Sequence, residues 1–468
     1  MSRSDHQLID GSPADGQSLQ ASRELTIYGQ GIGSTVDVEV STLDVRTVAA
    51  RLRSLASRLR QAAHDVRIVL SSVSGTAQLT SSGPGAVSEG MLVAADGEQR
   101  AGAIEDLARR LEVAADGYDE AEVANQARIW SVRRPVWNPF SPLTVVHVGM
   151  AWQAAWFDAW AHGQVVPTRH GAGMALEETL WGITGIDDPI PPVTRMVADA
   201  MTLLVTHRVA VRQVNPPGVA TIGSGAGVTE QAAIGDLEGV ADAIEALYPS
   251  NGEVDPGTVR IDRVVAPDGS VSWLVLVPGT QGDLVGEQPF DWAGNPGAMV
   301  GDVTGATATV VEAMRLAGIR PGQPVMIAGH SQGGMVALNA ANAVAEEYEV
   351  SGVVTLGAPV GLLDAPAGTE VLSIEHVEDP TSGLDNAANP VGENWTTVER
   401  TLTDSIDSDV NGVWHPGGSH DTPAYADTAG LVDVSGDAAV LDYLAMVAPV
   451  LDPEATATSN YYQGARTE

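Results

Sequence analysis

Cysteine is absent from the 468 residues, and so is lysine: all 24 basic residues are arginine, set against 60 acidic ones. Without Cys there is no disulfide, no thiolate nucleophile and no Cys-ligated zinc or iron–sulfur site. Without Lys there is no Schiff-base chemistry and no P-loop lysine. A formal charge of −36 repels phosphate backbones and argues against nucleic-acid binding. No stretch reaches the roughly 18 uninterrupted apolar residues of a spanning helix. Residues 1–24 are polar, with no apolar segment of the signal-peptide kind, so no ordinary leader is expected. What is present is an apolar content of 44%, enough for a sizeable core. The length suits two or three domains at about 150 residues each.

Residues 1–40 read as a polar N-terminal arm, with weak alternation over 25–40. Ser41 and Asp44 then form a capping-box-like helix start. Val45, Val48, Leu52, Leu55, Leu59, Ala62, Val66 and Val69 follow in alternating steps of three and four, a coiled-coil seam. The Ser/Gly-rich stretch 73–90 contains the turn Gly83-Pro84-Gly85. A second seam runs through Ile104, Leu107, Leu111, Ala114, Tyr118 and Ala121. Two such helices predict an antiparallel hairpin over 41–130.

Residues 131–228 read as a Trp-rich helical segment followed by a linker from 213. Trp152, Trp156 and Trp160 fall on one helix side, predicted to pack the hairpin onto the rest of the chain, with a lipid or membrane contact as the alternative. From 229 to 451 the pattern is α/β. Strands are predicted at 259–265, 272–277, 324–329, 350–356 and 371–377, and helices at 303–316, 333–345 and 438–447. Residues 452–468 read as a disordered tail.

Gly329-His330-Ser331-Gln332-Gly333 fits G-x-S-x-G between a predicted strand and a predicted helix, the setting in which a serine sits on a sharp turn. A serine hydroxyl becomes nucleophilic only when a base takes its proton, and a carboxylate must orient that base. Asp379, just beyond the strand 371–377, is the favoured carboxylate, followed by Glu378 and Asp364. His420 is the favoured base, in a Gly-rich loop. His415 is the next candidate, and His376, inside a strand, reads as core. The oxyanion hole would use the N–H of Gln332 and that of Thr280, with Gln281 the alternative to Thr280. Asp291-Trp292 and Asn295 would line or cover the pocket. Asp407-Ser408-Asp409-Val410-Asn411-Gly412 matches the first half of a calcium loop, but position twelve would be Gly418 rather than Glu. A solvated acidic turn is the favoured reading there, a bound calcium the alternative, and no cofactor or metal is expected.

Pro278-Gly279-Thr280, Gly329-His330-Ser331-Gln332-Gly333-Gly334, Thr355-Leu356-Gly357-Ala358-Pro359 and Asp379-Pro380, in this order, resemble the lipase/esterase branch of the α/β-hydrolase superfamily over about 255–450. The resemblance implies a C-terminal doubly wound α/β sheet, preceded here by the all-α hairpin. It implies hydrolysis of a carboxylic ester, lipid-like in kind, with Ser331 as nucleophile, Asp379 as orienting acid and His420 as base. Only one helix is evident between Thr280 and the strand before Ser331, which predicts a trimmed sheet. The hairpin, with Tyr118-Asp119-Glu120-Ala121-Glu122 late in its second helix, is similar to substrates of type VII secretion systems, although Gly83-Pro84-Gly85 stands where their Trp-x-Gly turn would be. That likeness implies a secretion-system or helical partner for residues 41–130 and export without a signal peptide, with a cytoplasmic location as the alternative. A secreted phospholipase and a non-catalytic interaction protein on the same scaffold are the competing functional expectations.

Overall fold

The computed structural model describes residues 25–28, 42–77, 85, 87–105, 107–111, 142–161, 167–186, 188–215, 230–251, 254–282, 284–390, 394–402 and 418–467. Two compact units form, one from Asp37–Val136 and the other from Met1–Val36 with Trp137–Glu468. The division after Val136 falls close to the predicted boundary at 131, whereas none falls at 229: the segment from residue 137 onward is part of the α/β unit.

In the smaller unit, helix α1 (Thr42–Ala77) is followed by helical residues 87–105 and 107–111. The buried positions are Ala49, Ala56 and Ala63 on one helix and Ala94, Ala101 and Ala108 on the other, each 5% exposed or less. The predicted seam was out of phase, since Leu55, Val66 and Val69 are 42%, 39% and 58% exposed. Small residues set the phase because they let the two backbones approach. A Cβ on Gly97 would already touch the Ala63 methyl at 3.5 Å. Arg60 pairs with Glu105 and Arg67 with Glu98 across the hairpin. The Tyr118 motif lies outside the described residues.

The larger unit is mixed α/β. Its strands are β1 (Leu25–Tyr28), β2 (Val209–Val214), β3 (Glu230–Ala232), β4 (Thr258–Val265), β5 (Val271–Val277), β6 (Pro324–His330), β7 (Glu349–Leu356), β8 (Glu370–His376), β9 (Trp395–Arg400) and β10 (Thr456–Arg466). Its helices are α2 (Pro142–Ala161), α3 (Arg169–Thr184), α4 (Ile190–Leu204), α5 (Leu237–Glu245), α6 (Asn295–Met299), α7 (Gly305–Ala317), α8 (Gln332–Val344), α9 (Thr422–Asp433) and α10 (Ala438–Val447). The strands form one ten-stranded sheet in the order β1-β9-β8-β7-β6-β5-β4-β10-β2, with β3 also on β10. Strands β5 to β9 run parallel, and antiparallel strands flank them on both sides.

The parallel strands are apolar on both faces because helices cover both. Trp273, Val275, Val325 and Ile327 pack with Val310 and Met314 of α7 and Met335 of α8. The alternate residues Leu274, Leu276, Met326 and Ala328 pack on the opposite face with Leu237 and Ile244 of α5, Tyr425 of α9 and Tyr443 of α10. Residues between β5 and β6 add no described strand, as the trimmed-sheet expectation had it, but the sheet is extended beyond β4 instead.

One expectation changes here. Residues 452–468 do not form a disordered tail: β10 lies inside the sheet, bonded to β4 on one side and β2 on the other. Its side chains are mostly polar and half-buried, so main-chain pairing holds it where an apolar pattern would not have shown it. On α2, Ala155 is 4% exposed and packs on α3, where a Cβ on Gly171 would come within 3.3 Å, while Trp152 and Trp156 are 37% and 48% exposed and the Trp160 side chain lies outside the described residues. Trp152 donates its indole N–H to Thr179 of α3 at 2.9 Å. No described helix is long and apolar enough to cross a membrane.

Candidate active site

Ser331 occupies the turn between β6 and α8, with φ 56° and ψ −125°. Positive φ is costly for a residue with a Cβ, about 1–3 kcal/mol, and persists only where the surroundings enforce it. They do so here. The Ser331 N–H donates to the Leu356 carbonyl at 2.8 Å, tying the turn to the end of β7. A Cβ on Gly329 would strike the Gly333 carbonyl, and one on Gly333 would strike the Val277 carbonyl. The two motif glycines thus let the strand, the turn and the helix close on one another.

Strands β5, β6 and β8 are parallel, so the loops after them share one rim of the sheet, as ligand-binding loops of open α/β sheets do. The loop after β8 carries Asp379, fully buried. The short turn Gly418–His420, ahead of α9, carries His420. His420 Nε2 lies 2.9 Å from Ser331 Oγ, and His420 Nδ1 lies 2.7 Å from Asp379 Oδ2. Burial alone would raise the Asp379 carboxyl. The pull and N–H of His420, the Tyr425 hydroxyl at 2.7 Å and the Thr381 N–H at 2.8 Å outweigh it and hold that carboxyl below its ordinary value. An ionised Asp379 can only accept, so His420 Nδ1 carries the proton, and Nε2 is left as the acceptor for the Ser331 hydroxyl.

The other candidates are placed elsewhere. Glu378 turns away from His420 and accepts the Leu402 N–H at 3.0 Å. Asp364 is exposed, and its carbonyl accepts from Asn342. His376 is buried in β8, donating from Nδ1 to the Ser419 carbonyl at 2.7 Å, and burial lowers its imidazole to about 4. Its ring stacks on Tyr425 with centroids 3.9 Å apart. His415 and the acidic turn 407–412 lie outside the described residues.

Thr280 and Gln332 both border the cavity at Ser331. Gln332 opens α8, so its N–H has no carbonyl one turn back within the helix. Its side chain is drawn aside, donating to the Asp291 carbonyl at 2.9 Å. The Gln281 N–H is already given to the Phe290 carbonyl at 2.6 Å, which removes Gln281 as the alternative to Thr280. The cavity measures about 510 Å³. Trp292, Met299, Met335 and Leu384 form its apolar wall, and Glu245, Asn295 and Asp421 lie on its polar side. Asp291 does not line it. That carboxylate is buried in an ion pair with Arg466 of β10, with Nη2 3.0 Å from Oδ1, and caps the turn that presents Trp292.

Among the described residues, no group of three or more His, Asp or Glu side chains is placed to hold a metal ion. The motif reading missed Tyr425, five residues beyond His420, and Tyr248, 82 residues before its partner His330. Neither carries a local signal, because each acts across the fold. Comparison of the chain with protein-family models, with curated proteins and with solved structures returned no match.

Proposed function

We propose that the chain is a serine ester hydrolase of the α/β-hydrolase kind. The observation that carries this reading is the single line of contacts Asp379–His420–Ser331, with the serine on a positive-φ turn between a buried strand and a helix. Ser331 Oγ attacks the acyl carbonyl as His420 Nε2 takes its proton. The Thr280 and Gln332 N–H groups meet the oxygen that becomes negative. Collapse expels the alcohol, which takes the proton back from His420, and leaves an acyl-serine ester. Water, deprotonated by the same imidazole, then attacks that ester and releases the acid and the free serine. Asp379 holds the ring in the required tautomer and stabilises the imidazolium.

The apolar wall of Met299, Met335 and Leu384 suits an apolar acyl group, so the substrate class is a carboxylic ester of lipid-like character. The test is intact mass after incubation with a fluorophosphonate, which phosphonylates an activated serine. A single adduct on the native chain, absent from Ser331→Ala along with ester turnover, is the expected result. Full esterase activity in Ser331→Ala would sink the reading, and a folded native chain that forms no adduct would favour a binding role for the scaffold.

A second reading concerns the hairpin. It is a compact helical unit of its own, consistent with an export or partner-docking element of the type VII kind. Removing residues 41–130 should then stop export while leaving ester turnover in place. Secretion unaffected by that deletion counts against it.

A further inference from the structure

One part-buried chain of hydrogen bonds runs between the two parts of the reaction machinery. The Gly279 N–H donates to the Tyr248 hydroxyl at 2.9 Å. That hydroxyl lies 2.5 Å from Nδ1 of His330, and Nε2 of His330 lies 2.8 Å from the carbonyl oxygen of His420. The chemistry fixes every role. A carbonyl can only accept, so His330 Nε2 bears the hydrogen. His330 is fully buried and its imidazole is lowered to about 3, chiefly by that burial and then by the nearby His420, so the ring is neutral and Nδ1 is bare. Nδ1 must therefore accept, and Tyr248 must donate to it. The tyrosine oxygen is left with a lone pair for the Gly279 N–H. The Thr422 hydroxyl, 3.5 Å from Nδ1, is too far away to replace Tyr248.

Gly279 immediately precedes Thr280, and the His420 carbonyl belongs to the residue that carries the base. We propose that Tyr248 and His330 are positioning residues that set the distance between the Thr280 N–H and the His420 imidazole. His330 is then not a spare base beside the nucleophile, but the link that couples oxyanion loop and base loop. His376 grips the preceding carbonyl, that of Ser419, so the main chain of the base loop is held by two neutral imidazoles on successive residues. Of the three rings, Tyr248 is the one that bonds the oxyanion loop, at the Gly279 N–H. A Cβ on Gly279 would fall 2.5 Å from its hydroxyl oxygen, which leaves no room for a side chain at 279 while the link stands.

The inference rests on the hydrolase reading, and the experiment separates the two. Native chain, Tyr248→Phe, His330→Leu, the double variant and His330→Gln are compared on a short-chain p-nitrophenyl ester and in the rate of fluorophosphonate labelling. Tyr248→Phe and His330→Leu should each lower kcat by about tenfold or more with KM little changed, because a small displacement of the base or the oxyanion donors acts on the chemical step. The double variant should be no worse than the poorer single one, the mark of two residues in one link. Glutamine places an amide N–H near the position of imidazole Nε2, so His330→Gln should recover part of the loss seen with leucine.

Multiplied losses in the double variant, or an unchanged kcat and labelling rate in Tyr248→Phe, would overturn the proposal while labelling of Ser331 in the native chain leaves the hydrolase reading standing. A native chain that neither labels nor turns over ester overturns both. Should a variant fail to fold, ¹⁵N spectra of the histidine-labelled native protein still decide. His330 must show a protonated Nε2 and a hydrogen-bonded, unprotonated Nδ1, and the opposite tautomer refutes the link.

Discussion

Asp379 is sealed from solvent, yet three donors converge on its carboxylate: His420, Tyr425 and the Thr381 N–H. A buried charge is tolerable only with that degree of satisfaction. Replacing it by asparagine removes the charge and offers His420 the wrong tautomer. Asp379→Asn should therefore lower kcat by about 10³–10⁴-fold on an ester that the native chain hydrolyses, with KM far less affected. Glu378→Gln should cost far less, because the Glu378 carboxylate serves the Leu402 N–H and not the histidine. Steady-state kinetics on the two variants side by side distinguishes the neighbours. At this scale Ser331, Asp379 and His420 were legible from motif, order and position after a strand. Tyr248, Tyr425 and the structural use of His330 were not, because their contacts join residues that only the folded sheet brings together.

Elements were legible in proportion to how fully they are buried. Strands β5 and β6 are largely apolar runs, β7 and β8 keep Val350, Val353, Val354, Leu356, Val371, Leu372 and Ile374 among polar residues, and Ala438–Val447 is a compact apolar helix. Strand β9, Trp-Thr-Thr-Val-Glu-Arg, has Trp395 and Val398 as its apolar residues, three apart, and so shows neither an apolar run nor a strand period. The hairpin misled in another way. Its Val and Leu stripe is more hydrophobic than the alanine stripe that packs, because close approach of two backbones favours small side chains over large ones.

Helix α5 supplies a prediction of its own. The Asp433 carboxylate accepts the Leu237 and Glu238 N–H groups at the start of α5. Burial, followed by the acidic neighbours Asp236 and Glu238, nevertheless raises it to about 6. A carboxyl raised in the folded state binds more protons there than in the unfolded chain over the interval between the two pKa values, so stability falls as pH rises through that interval. Thermal melts of native chain and Asp433→Asn should show the native Tm losing ground to the variant between about pH 4 and pH 6, and no further relative change above pH 7. A gap that widens in the native chain's favour over the same range would contradict the assignment.

For the molecule as a whole, charge is the dominant long-range property. The net −36 is joined at the cavity by Glu245 and Asp421, and no arginine is among the described residues that line it. An ester bearing a phosphate or carboxylate on its leaving group approaches against this field. At low salt, kcat/KM for a neutral ester should exceed that for an anionic ester of equal acyl length by about tenfold or more, and added salt should narrow the ratio. Equal rates at low salt would show that local contacts override the field and would restore an anionic phospholipid as a substrate.

Strand β10 also decides when the sheet can be finished. Its partners β4 and β2 lie roughly 200 and 250 residues earlier in the chain, so both pairings are among the least local contacts in the fold. Closing loops of that size before any contact rewards the closure makes such pairings slow. A growing polypeptide holds β4 with one bare edge until residues 456–466 have been synthesised, and bare edges recruit other strands. That pairing also carries Arg466, whose guanidinium grips Asp291 and so the turn that presents Trp292 to the cavity. Completion of the sheet and completion of the cavity rim thereby both depend on residues 456–466.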